Sequence, residues 1–196
     1  MITSSKVLIL FSALILASRA LAGDPPKLQA DAVEVVRPDN MGGCSMKCTF
    51  PWKVSVTRKG ETKATRIIVL NDNRFDTAWK EPTGGVGDKL TFYFPAQIPS
   101  EMEGKVPFYG LDLINGDLKS SAAWEATARL KKVRMYYNDK PQYDITWADS
   151  KLWQHVSFGE FMVHSGDTVS LEILETYPGK SSPALAISEI VLQGAH

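Results

Sequence analysis

The 196-residue chain carries 22 basic and 22 acidic residues, so it has no cationic excess for a polyanion, which excludes nucleic acid as its main partner. Beyond the apolar run from Val7 to Ala17, no segment offers the roughly 18 uncharged apolar residues that a membrane-spanning helix needs. The remainder of the chain, about 170 residues, is enough for a single domain burying about two thirds of its unfolded surface.

In chain order, Lys6, the apolar run and the small-x-small triplet Ala20-Leu21-Ala22 form an export signal,. A signal peptide is expected over 1–22, with a mature chain from Gly23 that is secreted or periplasmic. Loss of Lys6 and Arg19 leaves 20 basic against 22 acidic residues. The polar, Pro-flanked segment 23–47 reads as an N-terminal extension, lying on the domain or left mobile. Cys44 and Cys48 close a short loop, and in an oxidising compartment they are expected to pair as a local disulfide contributing about 2 kcal/mol. Two free thiols are the alternative. The spacing is not Cys-x-x-Cys, which argues against redox catalysis.

From Trp52 onward, apolar and polar residues alternate with period two. Trp52, Val54 and Val56 alternate with Lys53, Ser55 and Thr57, and Leu90, Phe92 and Phe94 with Lys89, Thr91 and Tyr93,. The pattern returns at Val133-Met135-Tyr137, Tyr143-Ile145-Trp147 and Val169-Leu171-Ile173, and the dense run Ala186 to Leu192 reads as a central strand with Glu189 inside it. Turn signals separate them at 82–87, 115–117 and 177–179,. Only Ser121 to Leu130 has appreciable helix propensity. Such a pattern predicts an all-β, antiparallel sandwich of jelly-roll type. The basic run Arg129 to Arg134 reads as a solvated strand edge.

The polar turn Asp72-Asn73-Arg74-Phe75-Asp76-Thr77 closes on Ala78-Trp79. It reads as a binding loop, because Asn and Asp oxygens favour turns and also suit a hard cation or a polyol. After that turn come Leu90 to Phe94, Leu113-Ile114-Asn115-Gly116, Ile173 to Gly179 and Ala186 to Ile190. In this order the motifs resemble the discoidin-like, galactose-binding-fold domains, and within them the NADase-type glycan-binding domain, over 48–196. The resemblance implies a β-sandwich that binds glycan through loops at one end and has no chemistry of its own. It also implies a structural calcium braced by Asp72, Asp76, Thr77 and Glu189. Arg74 stands where such loops often carry a second acid, so either Ca²⁺ or the Arg74 guanidinium is expected between Asp72 and Glu189.

The expected ligand-binding residues are Asn73, Arg74, Glu81, Asn115, Trp124, Arg129, Glu175 and Tyr177. Trp124 is read as a stacking surface or a helix-face anchor, Tyr177 as a ligand contact or a turn brace, and Trp79 as a buried residue beneath its loop. No His-Glu-x-x-His or Gly-x-Ser-x-Gly is present, and Gly84-Gly85-Val86-Gly87 lacks the Lys-Ser/Thr of a phosphate loop,. The expectation is a non-enzymatic, glycan-binding module. A protein-interaction or envelope-associated module of the same fold is the alternative, and a hydrolase using carboxylates such as Glu81 and Glu175 is the third reading.

Overall fold

A computed structural model describes residues 23–33, 53–72, 74–95 and 105–194. The expected signal peptide, Cys44, Cys48 and Asn73 lie outside the described residues.

The chain folds as two packed sheets. In chain order the strands are β1 (Lys27–Gln29), β2 (Asp31–Val33), β3 (Lys53–Thr57), β4 (Ala64–Ile67), β5 (Trp79–Glu81), β6 (Lys89–Tyr93), β7 (Lys105–Asn115), β8 (Arg129–Tyr137), β9 (Lys140–Thr146), β10 (Trp153–His164), β11 (Thr168–Tyr177) and β12 (Leu185–Gly194). A short helix α1 (Ser121–Ala126) and one 3-10 turn (Val69–Asn71) complete the described elements. The seven-stranded sheet runs β1-β9-β8-β11-β6-β3-β4 and the five-stranded sheet β2-β10-β7-β12-β5. Among the described residues, every strand pairing is antiparallel except β1 against β9.

Alternation decides which side chains enter the sandwich. Val54, Val56, Leu90, Phe92, Val133, Met135, Val169 and Leu171 from one sheet face Phe108, Leu111, Leu113, Val156, Ile190 and Leu192 from the other, and this dry interior supplies the main favourable free energy of folding. Trp79 is 8% exposed and belongs to the same core. The expected strands at β3, β6, β8, β9, β11 and β12 are all present.

Three expectations change. Part of the N-terminal extension is structural: β1 joins one sheet and β2 the other, with buried Ala30 at the crossover donating its N–H to Thr146 O at 2.9 Å. The helix stops at Ala126 because Thr127 is extended and Ala128 bridges Leu185, so Arg129 and Leu130 belong to β8. Strand β8 lies between β9 and β11, so the basic run is not a sheet edge. Its cations are instead matched by acids. Arg134 grips Asp144 at 2.7 and 3.1 Å, Lys132 lies 3.3 Å from the same carboxylate, and Lys131 meets Glu175 at 2.6 Å. The hydrogen bond from Arg134, helped by Lys132, holds the Asp144 carboxyl below the usual carboxylate range against the opposing effect of burial.

Candidate functional site

One end of the sandwich is built from five connections, at 58–63, 82–88, 116–128, 147–152 and 178–184. Backbone hydrogen bonds sew them together. Lys180 N–H reaches Glu125 O at 2.8 Å, Ser182 N–H reaches Ala126 O at 2.9 Å, and Gly87 N–H reaches Ile173 O at 2.8 Å. The first two join 178–184 to 116–128 and the third joins 82–88 to β11, while Asp149 reaches Arg129 from 147–152 and Lys59 N–H reaches Asp88 from 58–63.

The centre of this end is Trp124 on α1. Ser120 caps the helix, accepting from Ala123 N–H at 3.1 Å, which supplies an acceptor for an otherwise orphaned first-turn donor. Gly116 makes room for the indole: at φ 88°, a Cβ there would lie 2.4 Å from Trp124 Cδ1, so only glycine fits on both counts. The indole N–H donates to Asn115 O at 2.9 Å. The Arg129 guanidinium lies over the ring at 4.4 Å from its centroid and the Lys151 ammonium at 5.0 Å, both within cation–π range. Arg129 is buried and held by Asp149 through two bonds of 2.8 Å and by Thr127 O at 2.7 Å. Trp124 is thus half-buried and anchored along one edge, with the Arg129–Asp149 pair beside it.

Asn115 is fully buried. Its amide donates to Leu130 O at 2.7 Å and its carbonyl accepts from Leu130 N–H at 2.8 Å. Glu81 is also buried, accepting from Arg58 at 3.0 Å and from Thr83 at 3.2 Å. Both residues lie beneath the surface, so they hold the loops in place and do not present polar atoms to a ligand. Tyr177 donates to Trp147 O at 2.9 Å, with Lys131 5.8 Å from its ring centre, so Tyr177, Lys131 and Glu175 form a second, smaller aromatic and charged group. The ring of Tyr177 remains half-buried.

The 72–78 segment is organised differently. Arg74 N–H donates to Asp72 at 2.9 Å, and the Thr77 hydroxyl lies 2.9 and 3.1 Å from the two Asp72 oxygens. The Arg74 guanidinium forks onto Asp76 at 3.1 and 3.0 Å. Hydrogen bonding to Arg74 holds the Asp76 carboxyl below its usual range and raises the guanidinium in turn. Calcium takes six to eight oxygens. Here the Asp72 carboxylate is occupied by the loop, Asp76 is neutralised by Arg74, and no three acidic, His or Cys side chains converge among the described residues. The side chains of Asp72 and Asp76 are thus both engaged within the loop. The guanidinium serves the loop, although it meets Asp76 where the sequence placed it between Asp72 and Glu189. Glu189 itself is buried in β12, opposite Ile114. The loop is tied to the rest through Phe75, edge-on to Trp153 at 5.9 Å, and in the β5 strand that follows it Lys80 lies 2.7 Å from Asp117.

Sequence reasoning did not single out Asp149 and Lys151, although both sit between two strands. Their Ala148-Asp149-Ser150-Lys151 stretch comes directly after Trp147, and a charged turn following an alternating strand was the only signal the sequence carried.

Residues 48–193 match the family model described as "NAD glycohydrolase translocation F5/8 type C domain". Among solved structures, the CBM32-1, CBM32-2 and M60 catalytic domains of Clostridium perfringens ZmpB resemble the chain with a TM-score of 0.57 at 11% identity, over 91% of this chain and 17% of that one. The CBM32-1 and CBM32-2 domains of the same protein, in complex with GalNAc, give 0.54 at 10% identity, over 88% and 41%. CpGH89CBM32-5 of Clostridium perfringens, in complex with GalNAc-β-1,3-galactose, gives 0.47 at 15% identity, over 72% and 94%. The chain therefore spans less than half the length of the first two structures. No curated protein matches.

Proposed function

Since the chain belongs to the NAD glycohydrolase translocation F5/8 type C domain family, we propose that it is an exported glycan-binding module whose loop end takes a terminal sugar without transforming it. The observation that carries this reading is the cluster of half-buried Trp124, the Arg129–Asp149 pair and Lys151. An aromatic face beside a fixed carboxylate and a fixed cation is what a pyranose needs: its C–H face covers a ring while its hydroxyls find donors and acceptors. Lys151 is the more accessible of the two cations over the indole, so the sugar takes its place. The fold likeness to carbohydrate-binding modules, one of them in complex with GalNAc, supports the same reading.

Covering about 100 Å² of ring contributes roughly 2.5 kcal/mol, and two or three hydrogen bonds add about 1 kcal/mol each. After association costs, affinities of the order of millimolar to tens of micromolar remain, a range that works by avidity or tethering.

The experiment is a glycan array with a thermal-shift assay on the chain from Gly23, run with calcium and with chelator. Binding to a defined glycan class that is lost in Trp124→Phe or Asp149→Ala supports the reading. Arg74 fills the cationic role in its loop, so melting is expected to be unchanged by chelator. Silence on the array from a stable fold would replace this reading with the protein-interaction alternative.

A further inference from the structure

The outer face of the five-stranded sheet carries a second polar group, separate from the Trp124 cluster and independent of the glycan reading. Along β10, Gln154 and Val156 point into the sandwich, so His155 and Ser157 share the opposite face,. Across the ladder His155 pairs with Asp112 and Ser157 with Gly110, while Asp112 is flanked on its other side by Val191. The His155 Nδ1 lies 2.5 Å from Asp112 Oδ1, and the His155 Nε2 lies 2.7 Å from Ser157 Oγ.

A carboxylate only accepts, so the ring proton sits on Nδ1 in the neutral imidazole, and Nε2 is left to accept from the Ser157 hydroxyl. Asp112 is buried, and its second oxygen accepts from the Gln193 amide, which fixes the carboxylate that fixes the ring. Gly110 makes room for the imidazole: a Cβ there would come within 2.9 Å of Val156 O and 3.1 Å of His155 Cε1. Past Ser157 the β10 register shifts before Phe161, which bends the strand away. The serine itself is exposed.

A hydroxyl within hydrogen-bonding reach of a base that is itself oriented by a third group is the arrangement of an activated nucleophile. We propose that Ser157 is an acylation site, activated by His155 and positioned by Asp112 and Gln193, for small activated acyl donors such as esters or thioesters. The Ser157 Oγ to acyl-carbon bond forms as the bond from that carbon to the leaving alkoxide or thiolate breaks. The hydroxyl proton passes to His155 Nε2 and from there to the leaving group. Water then attacks the acyl carbon, its proton passing by way of His155 Nε2 to Ser157 Oγ as the Oγ–acyl bond breaks, which releases the acid and restores the serine.

An alkyl fluorophosphonate is the direct probe. Its P–F bond is replaced by a bond to Ser157 Oγ, with fluoride and a proton as products. The expected result is one phosphonyl adduct per folded chain on the peptide containing Ser157, none in Ser157→Ala, and labelling slower by ~100-fold or more in His155→Gln. Both substitutions are on an outward face, and unchanged thermal melts would show that the variants fold. Urea-unfolded protein is the second control, since activation requires the fold. Labelling of native protein no faster than in urea, an adduct that persists in Ser157→Ala, or a His155→Gln variant that reacts at the parent rate would each overturn the proposal.

Discussion

The polar segments 72–77 and 115–129 each contain Asn, Asp, Thr and Arg with a Trp in or beside them, yet they are held in different ways. The first satisfies itself: Asp72, Thr77, Arg74 and Asp76 bond to one another across at most five positions and stay largely in water. The second is held from outside. Asn115 ties β7 to β8, Ser188 donates to Gly116 O at 2.8 Å, and Asp149 arrives from the next loop to clamp Arg129. Local bonds set the shape of a turn, whereas long-range bonds between buried groups make a rigid platform, and rigidity is what a weak ligand requires if ordering costs are not to consume its binding energy.

Substitutions can break that contrast, and the largest effect should come from beneath the first loop. Trp79→Ala removes a buried core side chain and is expected to cost about 3–5 kcal/mol in chemical denaturation. Asn115→Ala leaves the Leu130 N–H and C=O unpaired in the interior, and should cost about 2–4 kcal/mol while weakening glycan binding, because the Trp124 acceptor moves with it. Arg129→Lys keeps the charge but loses the fork onto Asp149, for a loss of about 2 kcal/mol and a matching drop in binding. Thr77→Ala, on the self-satisfied loop, should cost about 1 kcal/mol and leave binding intact.

Acid extends the contrast to an ion pair satisfied within a loop and one held between two strands. Asp144 and Asp76 are both held below the ordinary carboxylate range by a hydrogen-bonded arginine. Each lowered group contributes stability that is present above the unfolded carboxylate range and lost as pH falls through the folded one. Asp144 is buried and Asp76 exposed, so Asp144→Asn should flatten the acid limb of a melting curve, while Arg74→Ala should leave that limb on top of the parent's.

Much of the fold was legible because period-two alternation survives wherever a strand is regular, as at β3, β6 and the stretch of β11 from Val169 to Ile173, ahead of its register shift. It was lost where the ladders shift register. Strand β7 changes its pairing at Phe108 to Gly110, and β10 bulges between Ser157 and Phe161, so the alternation breaks in both and neither was predicted. The helix ends four residues short of Leu130, because alanine propensity over 122–128 takes no account of the bridge from Ala128 to Leu185. At the site, Trp124 and Arg129 were legible as an aromatic and a cation on one connection. The role of Asn115 was not, since a turn-forming Asn and a buried Asn gripping a strand fifteen positions away read the same in sequence. His155 and Asp112, forty-three positions apart, meet only through strand register.

The most direct test of the central claim is a backbone amide chemical-shift titration of the folded chain with the glycan selected on the array. The account predicts that saturable shifts centre on 116–128 and 147–152, include the Trp124 indole N–H, and leave the 72–77 loop unmoved. Shifts centred on 72–77, with the Trp124 signal still, would contradict it.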